Sequence, residues 1–268
     1  MSRAYAEVIG DPIAQSKSPA IHNFWLARLG IDAEYRACHV RAEGLADYFA
    51  GRRGDPAWRG CNITMPHKQA AMPLLDAIDA AAARIGAVNT VVPSPSGGLC
   101  GFNTDMPGFL EPLGDDTFGV VTVIGAGGAA RAILAGLAQR GVQWVSLQNR
   151  SLDKGKALLA EFGLKGCVVQ PGEAVAAADL LINTSSLGMA GFSPMPPVER
   201  QVADGGTVYD IVTTPIETDL LLRARARGLR TIDGLAMLIG QAAFAFEKFF
   251  GTLPSRGDDA ALRAALTA

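Results

Sequence analysis

The sequence predicts an α/β protein in which a doubly wound parallel sheet follows a first, mixed α/β region. Residues 120–124 (VVTVI) are uncharged and β-branched, which is typical of a strand buried on both faces of a parallel sheet. A glycine-rich turn and a helix-forming run, Ala129–Gln139, follow directly. After Arg150, strand and helix patterns alternate, and right-handed crossovers join such units into a parallel sheet. Before Asp105 the pattern is mixed, so we place a domain boundary near that residue.

Composition and charge exclude several classes of protein. A chain of 268 residues, 49% of them apolar, is long enough for one or two domains with packed cores. A net charge of −2 gives no reason to expect nucleic acid or an anionic membrane as a partner. The most apolar late run, Leu235–Phe250, is too short to span a bilayer and contains charged residues.

The cysteines indicate a reducing compartment. Cys38, Cys61, Cys100 and Cys167 are widely scattered, and neither a CxxC pair nor more than three histidines is present. A structural metal site is therefore not expected, and the thiols are predicted to be reduced and mostly buried. Met1 leads directly into a strand pattern without an apolar signal-peptide core, which favours a cytoplasmic location.

The first region begins with a strand, a polar loop and a helix. Pro19 starts that helix, so Ser16 and Ser18 lie directly ahead of a helix N-terminus. This position suits an N-cap, and it also suits binding of a carboxylate by the hydroxyls and the helix end together. Position alone favours the cap. The predicted elements up to the hairpin are strands Tyr5–Ile9 and Glu34–Val40, helices Ala20–Leu29, Ala42–Phe49 and Ala77–Ile85, and a hairpin of Asn89–Pro93 with Leu99–Phe102.

Several polar residues of this region have both a structural and a chemical interpretation. Residues 60–68 predict a short strand that ends at a proline turn, followed by a helix that begins at Lys68. A cation is slightly unfavourable at a helix N-terminus, so Lys68 needs another reason for its place, and a surface lysine is the alternative. His67 is expected to be a partly exposed residue of the helix start. Asp105 can serve as a helix cap, and Asn89 can serve its turn.

The second region predicts five further strands and three helices before a long terminal helix. In that last helix, Leu235–Phe250, Gln241 lies near the apolar stripe and can face a cleft or stay exposed. The predicted elements are strands Val142–Gln148, Cys167–Gln170, Leu180–Asn183, Val208–Ile211 and Arg230–Ile232, with helices Lys154–Glu161, Glu173–Ala178 and Thr218–Arg227.

The glycine-rich turn has the features of a dinucleotide site. Gly125 permits a tight turn, Gly127 lets a pyrophosphate approach the backbone, and the small Ala130 allows close packing of helix on strand. The free N–H groups of the following helix then favour phosphate. A glycine-rich turn alone is weak evidence, since glycine also serves ordinary turns.

The end of the next strand favours NADP over NAD. A free ribose 2′-hydroxyl usually meets Asp or Glu near this point, but the sequence has Asn149-Arg150-Ser151, with Lys154 three residues further on. Cations suit a 2′-phosphate, and a carboxylate would repel it. A solvated arginine and lysine at a strand end is the alternative.

Taken together, these stretches resemble the shikimate dehydrogenase family nearly from end to end. The matching stretches occur in family order and at family spacing. They are Ser16–Pro19 (SKSP), Asn62–Lys68 (NITMPHK), Gly86–Thr90 (GAVNT), Asn103–Asp105 (NTD), Gly125–Arg131 (GAGGAAR), Asn149–Ser151 (NRS) and Asp233–Ala243 (DGLAMLIGQAA).

The resemblance implies a two-domain enzyme with a cleft. Residues 1–104 and 236–268 would form an N-terminal α/β substrate domain, with the C-terminal helices packing back on it. Residues 105–235 would form a Rossmann domain that binds NADP. The implied reaction is reversible reduction of 3-dehydroshikimate to shikimate, by a cytoplasmic monomer or homodimer without nucleic-acid or membrane partners.

The resemblance also implies roles for individual residues. Lys68 and Asp105 would be the catalytic pair. The implied substrate ligands are Ser16 and Ser18 for the carboxylate, and Thr64, Asn89 and Gln241 for the ring hydroxyls and carboxylate. The implied NADP ligands are Gly125, Ala126, Gly127, Gly128 and Ala129 for the pyrophosphate, Asn149, Arg150, Ser151 and Lys154 for the 2′-phosphate, and Ile211 and Gly234 beside the nicotinamide.

One departure from the family pattern keeps alternatives open. The family usually has Tyr two residues before Pro215, where this chain has Thr213. Phe102 and Met106-Pro107 also replace residues that are more often polar or glycine. A quinate/shikimate dehydrogenase, which often uses NAD, or a paralogue with altered specificity is therefore the nearest alternative. A methylenetetrahydrofolate dehydrogenase-like enzyme is disfavoured by Ser16, Ser18 and the pair of Lys68 and Asp105. A non-catalytic module would be expected to lack Lys68 or Asp105, and both are present.

Overall fold

The chain forms two compact units, each with its own sheet. The computed structural model describes residues 3–95 and 97–267. The first unit comprises Met1–Gly108 with Leu238–Ala268, and the second comprises Phe109–Met237. The boundaries predicted from sequence, at 104/105 and 235/236, lie four and two residues before these divisions.

The first unit is a mixed sheet with flanking helices. Its core is formed by apolar residues of the strands and of the helix over 45–52, with Ile9, Phe49 and Trp58 all 2% exposed or less. Its elements in chain order are β1 (Ala4–Gly10), α1 (Ser18–Leu29), β2 (Ala33–His39), α2 (Leu45–Arg52), β3 (Trp58–Ile63), β4 (Ala77–Ile78), α3 (Ala80–Ile85), β5 (Thr90–Pro93), β6 (Leu99–Phe102) and α4 (Asp105–Leu110).

The strand directions of this sheet bring several chain segments to one edge. The strand order is β2-β1-β3-β5-β6-β4. Strands β1 and β3 are parallel, β5 is antiparallel to β3, and β6 is antiparallel to β5. The carboxyl ends of β1, β3 and β6 therefore share an edge with the start of β5.

The second unit is a parallel doubly wound sheet. Its strand order is β12-β11-β10-β7-β8-β9, and each pair of neighbours is parallel. The order reverses between β7 and β10, and ligands of such sheets bind outside the carboxyl ends at this point. Its elements are β7 (Val120–Ile124), α5 (Gly128–Gln139), β8 (Trp144–Gln148), α6 (Leu152–Glu161), β9 (Gly166–Val169), β10 (Ala178–Asn183), β11 (Val202–Asp210), α7 (Asp219–Ala226) and β12 (Arg230–Ile232).

The chain ends with helices α8 (Gly234–Phe250) and α9 (Asp259–Thr267). Helix α9 packs on α1, and the Lys17 ammonium donates to the carbonyl of Leu266 at 3.1 Å. The expected return of the C-terminal helices to the first unit is confirmed. Helix α9 itself was not predicted, because Leu262 is its one fully buried apolar residue in the part of the chain that the structure describes.

Three predicted helices differ from the structure. Residues 65–71 form hydrogen-bonded turns before a 3₁₀ turn at Met72–Leu74, since Pro66 and Pro73 leave too short a run for an α-helix. The predicted helix Glu173–Ala178 is absent, and Ala178 instead begins β10. The helix predicted from Ala77 begins at residue 80, after two residues that pair with β6. The carboxylate of Asp79 caps it by accepting the N–H of Ala81 at 3.0 Å.

The cysteines of this chain are not paired in disulfides. All four cysteines are free, but Cys61 alone is fully buried, so the prediction that most are buried is wrong.

Across residues 3–95 and 97–267, no helix is long and apolar enough to cross a membrane. Within the same ranges, no group of three or more His, Cys, Asp or Glu residues could hold a metal ion.

Candidate active site

An ammonium and a carboxylate meet at the edge where β1, β3 and β6 end. The Nζ atom of Lys68 donates to Oδ2 of Asp105 at 2.6 Å. The side chains are 17% and 8% exposed, respectively, so the pair is largely withdrawn from water. A partly buried, charge-assisted hydrogen bond of this kind orients both groups more firmly than a surface ion pair does.

A hydrogen-bonded turn places Lys68. The N–H of Val88 donates to the carbonyl of Lys68 at 2.8 Å, which ties this turn to the segment that leads into β5. The ring of His67 is 1% exposed, and its Nε2 lies 2.6 Å from the carbonyl of Val40. His67 is therefore a buried anchor of the turn, and the prediction that it is a partly exposed helix residue is wrong. Lys68 likewise does not begin a helix.

Asp105 is placed by its neighbour Asn103. The Oδ1 atom of Asn103 accepts the N–H groups of Asp105 and Met106, at 3.0 and 3.3 Å. Asn103 thus satisfies the first N–H groups of α4, which leaves the Asp105 carboxylate for Lys68. The alternative in which Asp105 caps this helix is wrong.

Asn89 connects the pair to its surroundings. Its Nδ2 donates to Oδ1 of Asp105 at 2.9 Å and to Oγ1 of Thr104 at 3.0 Å. Its Oδ1 accepts the backbone N–H of Thr104 at 2.7 Å. Asp105 thereby accepts from both Asn89 and Lys68, so each of its oxygens has a donor.

Gln241 of α8 joins the same cluster. Its Oε1 lies 3.4 Å from Nδ2 of Asn89 and 3.4 Å from Oγ1 of Thr104. Its Nε2 donates to the carbonyl of Leu238 at 3.0 Å. Gln241 is 8% exposed, so it is the side chain that brings the C-terminal helix into this site.

Ser16 and Ser18 lie in the segment that follows β1, and Thr64 directly follows β3. Lys17 occupies the N-cap position of α1, and its side chain does not cap this helix. The cap by Ser16 or Ser18 that position in the sequence favours is therefore wrong. Ser18 is the first helical residue, and its N–H donates to Oγ of Ser16 at 3.3 Å. The N–H of Thr64 donates to the carbonyl of Ile9 at 2.9 Å, which holds Thr64 beside the end of β1.

Tyr35, Asn62 and Thr90 belong to the site but were not singled out from sequence. They form a buried layer behind Asn89: Tyr35 donates to Asn62 at 2.6 Å, and Asn62 donates to Thr90 at 3.0 Å. A polar residue within a strand is the one sequence signal that could have found them. The partners come from three strands, however, and their meeting depends on the sheet register.

The glycine turn of the second unit fits a pyrophosphate. Gly125 has φ +99°, and a Cβ there would lie 3.0 Å from Oγ1 of Thr184. Gly127 is the N-cap of α5 without a side-chain cap, and a Cβ there would meet nothing within 4 Å. The N-cap of this 12-residue helix thus offers no side chain to the first N–H groups, and Ala126 to Ala129 lead into them. Ala130 is fully buried, as predicted.

The segment after β8 presents exposed cations. Side-chain amides hold its main chain: Asn149 donates to the carbonyl of Ser151 at 2.8 Å, and Gln170 donates to that of Arg150 at 3.3 Å. Arg150, Ser151 and Lys154 are exposed. Within the described residues neither Arg150 nor Lys154 forms an ion pair, which leaves two positive charges for an anion.

Ile211 and Gly234 lie together at the carboxyl end of β11. A Cβ on Gly234 would come within 2.4 Å of the carbonyl oxygen of Ile211, so only glycine fits there. The buried carboxylate of Asp210 accepts from Thr218, the N–H of Val212 and Asn183 at 2.7, 3.1 and 2.9 Å. Burial raises the pKa of Asp210 above its usual range despite these three bonds.

Comparisons with known proteins agree with this organisation. The family model described as shikimate dehydrogenase substrate binding domain matches residues 8–91, and the one described as NADP oxidoreductase, coenzyme F420-dependent, matches residues 120–191. A shikimate dehydrogenase (NADP(+)) of Sphingopyxis alaskensis is 55% identical over 98% of this chain and 97% of that protein.

Solved structures show the same fold. Shikimate 5-dehydrogenase of Thermus thermophilus, in complex with NADP(H) and shikimate, superposes with a TM-score of 0.86 at 39% identity, over 98% of this chain and 99% of that one. Quinate dehydrogenase of Corynebacterium glutamicum, in complex with NAD, superposes with a TM-score of 0.85 at 30% identity, over 98% and 99% of the two chains. The chain belongs to the shikimate dehydrogenase family.

Proposed function

We propose that this protein reversibly reduces the C3 carbonyl of 3-dehydroshikimate to the hydroxyl of shikimate, with NADPH as the reductant. The observation that carries the proposal is the 2.6 Å contact of Lys68 with Asp105, in a chain of this family. Its 55% identity to an enzyme named shikimate dehydrogenase (NADP(+)) supports the choice of substrate and cofactor.

The proposed chemistry needs a proton at the carbonyl oxygen. Bound NADPH supplies the hydride, which side chains cannot supply. The ammonium of Lys68 donates its proton to the oxygen as the carbonyl carbon is reduced, and in the reverse direction the neutral amine takes it back. Asp105 holds and orients Lys68. A positioned acid of this kind contributes about 10²- to 10⁴-fold to the rate.

We propose that the polar side chains around this pair hold the substrate. Ser16, ahead of the 12-residue helix α1, and Ser18, its first residue, would bind the carboxylate through their hydroxyls. Thr64, Asn89 and Gln241 would bind the ring hydroxyls and the carboxylate. Their common position at one sheet edge supports this assignment, and so does the direct contact of Asn89 with Asp105.

We propose that the second unit holds NADP. Gly125 to Ala129 would bind the pyrophosphate, because α5 begins there without a side-chain cap and the space beside Gly127 is open. The 2′-phosphate would lie among the four residues that follow β8, and the nicotinamide beside the end of β11. These residues are Asn149, Arg150, Ser151 and Lys154 for the phosphate, and Ile211 and Gly234 for the nicotinamide.

Quinate with NAD is the second candidate pair, and one observation favours it. Thr213 stands where the family usually has Tyr, and the solved quinate dehydrogenase shares the fold. Against it, Asn149 and Arg150 stand directly after β8, where a free ribose hydroxyl usually meets Asp or Glu, and Lys154 adds a second cation. We therefore retain shikimate and NADP as the proposed pair.

A four-way assay tests the proposal. The purified enzyme is mixed with shikimate or quinate, each with NADP or NAD, and the reduced nicotinamide is followed by absorbance. The expected result is a kcat/KM for shikimate with NADP that exceeds each of the other three. A higher value for quinate with NAD would replace the proposed function with the second candidate, and no turnover in any pair would refute both.

We also propose a cytoplasmic enzyme that acts as a monomer or homodimer, without nucleic-acid or membrane partners. The four free thiols support a reducing compartment, and the net charge of −2 supports the absence of polyanionic partners. Cell fractionation and sedimentation velocity would test these statements.

A further inference from the structure

We propose that Tyr35 and Thr90 are positioning residues for the reaction. A chain of hydrogen bonds, all donated in the same direction, runs from the Tyr35 hydroxyl to the amide of Asn89. That amide in turn holds Asp105 against Lys68. The inference rests on the proposed function only for its kinetic consequence, because the bonds themselves are properties of the first unit.

The backbone fixes which way the Asn89 amide faces. An asparagine amide has an acceptor on one side and two donors on the other. The backbone N–H of Thr104 donates to Oδ1 of Asn89 at 2.7 Å, and a backbone N–H can only donate. The NH₂ group of Asn89 must therefore face the other way, where Oδ1 of Asp105 accepts from it at 2.9 Å.

The backbone fixes the Asn62 amide in the same manner. The carbonyl of Asn89, which can only accept, receives Nδ2 of Asn62 at 3.2 Å. The Oδ1 atom of Asn62 therefore faces Tyr35, and the Tyr35 hydroxyl donates to it at 2.6 Å. Burial raises the pKa of Tyr35 well above its usual value, so this hydroxyl keeps its proton.

Thr90 connects the two amides. Its hydroxyl accepts from Nδ2 of Asn62 at 3.0 Å and donates its single proton to Oδ1 of Asn89 at 3.0 Å. Thr90 is fully buried, so water cannot substitute for either bond. Tyr35 and Thr90 thus donate in the same direction that the backbone sets for the two amides.

Neighbouring residues of α1 hold Tyr35 in place. Strand β2 is at the edge of its sheet, and the side chain of Asn23 binds the outward main chain of Tyr35, donating to its carbonyl at 2.7 Å and accepting its N–H at 2.9 Å. The ring of His22 stacks on the Tyr35 ring with centroids 3.9 Å apart and planes 5° apart. The start of the chain of bonds is therefore rigid.

Loss of either hydroxyl should loosen the catalytic pair. Without the Tyr35 hydroxyl, the buried Oδ1 atom of Asn62 loses its donor. The Asn62 amide is then expected to rotate towards another donor. The hydroxyl of Thr90 can then donate to Oδ1 of the rotated Asn62 amide instead of to Asn89. Asn89 thereby loses one of the bonds that orient it. Because small misplacements of reacting groups are costly, we expect kcat to fall by roughly tenfold without an effect on NADPH binding.

The test compares Tyr35→Phe and Thr90→Val with Tyr48→Phe. Tyr48 is a matched control in the same unit, since its hydroxyl donates to Glu7 at 2.8 Å and lies outside this chain of bonds. We expect the first two variants to lower kcat and to shift its pH profile, and the control to do neither. Because both act on one chain, the double variant Tyr35→Phe/Thr90→Val should be no slower than the slower single variant.

A second readout does not depend on activity. In asparagine-labelled protein, the NMR resonance of the Asn89 side-chain amide should move in Tyr35→Phe and in Thr90→Val, and stay in place in Tyr48→Phe. A kcat of Tyr35→Phe equal to wild type, or an unmoved Asn89 resonance in it, would overturn the inference. If the wild-type enzyme does not turn over 3-dehydroshikimate, the proposed function fails, and the resonance alone decides the inference.

Discussion

Gly108 of α4 and Gln241 of α8 touch backbone to backbone. A Cβ atom on residue 108 would lie 2.5 Å from the backbone nitrogen of Gln241 and 2.8 Å from its Cα. These are backbone atoms of a helix, so they cannot move aside as the end of a flexible side chain can. The absence of a side chain at Gly108 is therefore what allows Gln241 to reach the cluster around Asn89.

Gly108→Ala should weaken substrate binding by displacing Gln241. We expect KM for shikimate to rise roughly tenfold, in keeping with an overpacking cost of about 1–3 kcal/mol, while the affinity for NADPH is unchanged. Steady-state kinetics and NADPH titration measure the two quantities. Gly51→Ala is the control, because Gly51 is also helical and a Cβ there meets nothing within 4 Å. Equal KM values for the two variants would show that the contact does not position Gln241.

Arg150→Ala should weaken the binding of NADP but not that of NAD. The lost charge-assisted bond to the 2′-phosphate is worth about 1.5–3 kcal/mol, so we expect Kd for NADP to rise roughly 10- to 100-fold and Kd for NAD to stay the same. Fluorescence titration of both cofactors measures this. Lys165→Ala, which removes an exposed cation that precedes β9, should change neither value. Equal weakening of NADP and NAD by Arg150→Ala would remove this residue from the 2′-phosphate site.

His22→Phe should reduce the loss in the free energy of unfolding that occurs at acidic pH. Burial lowers the pKa of His22 from 6.5 to about 3, and neither ring nitrogen has a hydrogen-bond partner within the described residues. Between these values the unfolded chain binds a proton that the folded chain does not, so the free energy of unfolding falls as the pH drops from 6.5 towards 3. At pH 4.5 the loss from this group is about 2–3 kcal/mol.

Phenylalanine retains the stack on Tyr35 and has no proton to bind. Chemical denaturation at pH 7 and pH 4.5 should therefore show a smaller loss of stability on acidification for His22→Phe than for wild type. The same loss in both proteins would mean that His22 is not buried in its neutral form.

The sequence predicted what depends on local patterns. The apolar run 120–124, the glycines after it and the hairpin before Asn103 each carry a short-range signal, and the structure has all three. The chain from Lys68 was predicted as a helix that follows a proline turn, whereas Pro66 and Pro73 restrict it to turns.

The buried layer behind the catalytic pair could not be predicted in the same way. Tyr35, Asn62 and Thr90 meet because β2, β3 and β5 are aligned by the sheet, and no short segment contains more than one of them. Contacts between strands far apart in sequence depend on register, which local propensity does not determine. The site residues themselves were found through family resemblance, because the residue types alone left a cap, a turn or a surface lysine as alternatives.

The most direct test of the account is the turnover of Lys68→Ala. The substitution removes the proton donor but leaves Asp105 and its bond from Asn89 in place. For NADPH-dependent reduction of 3-dehydroshikimate, we predict a fall in kcat of about 10²- to 10⁴-fold. The affinity for NADPH, measured by fluorescence titration of the same sample, should be that of wild type. A kcat close to that of wild type would contradict the account, because the proton would then have to come from another group.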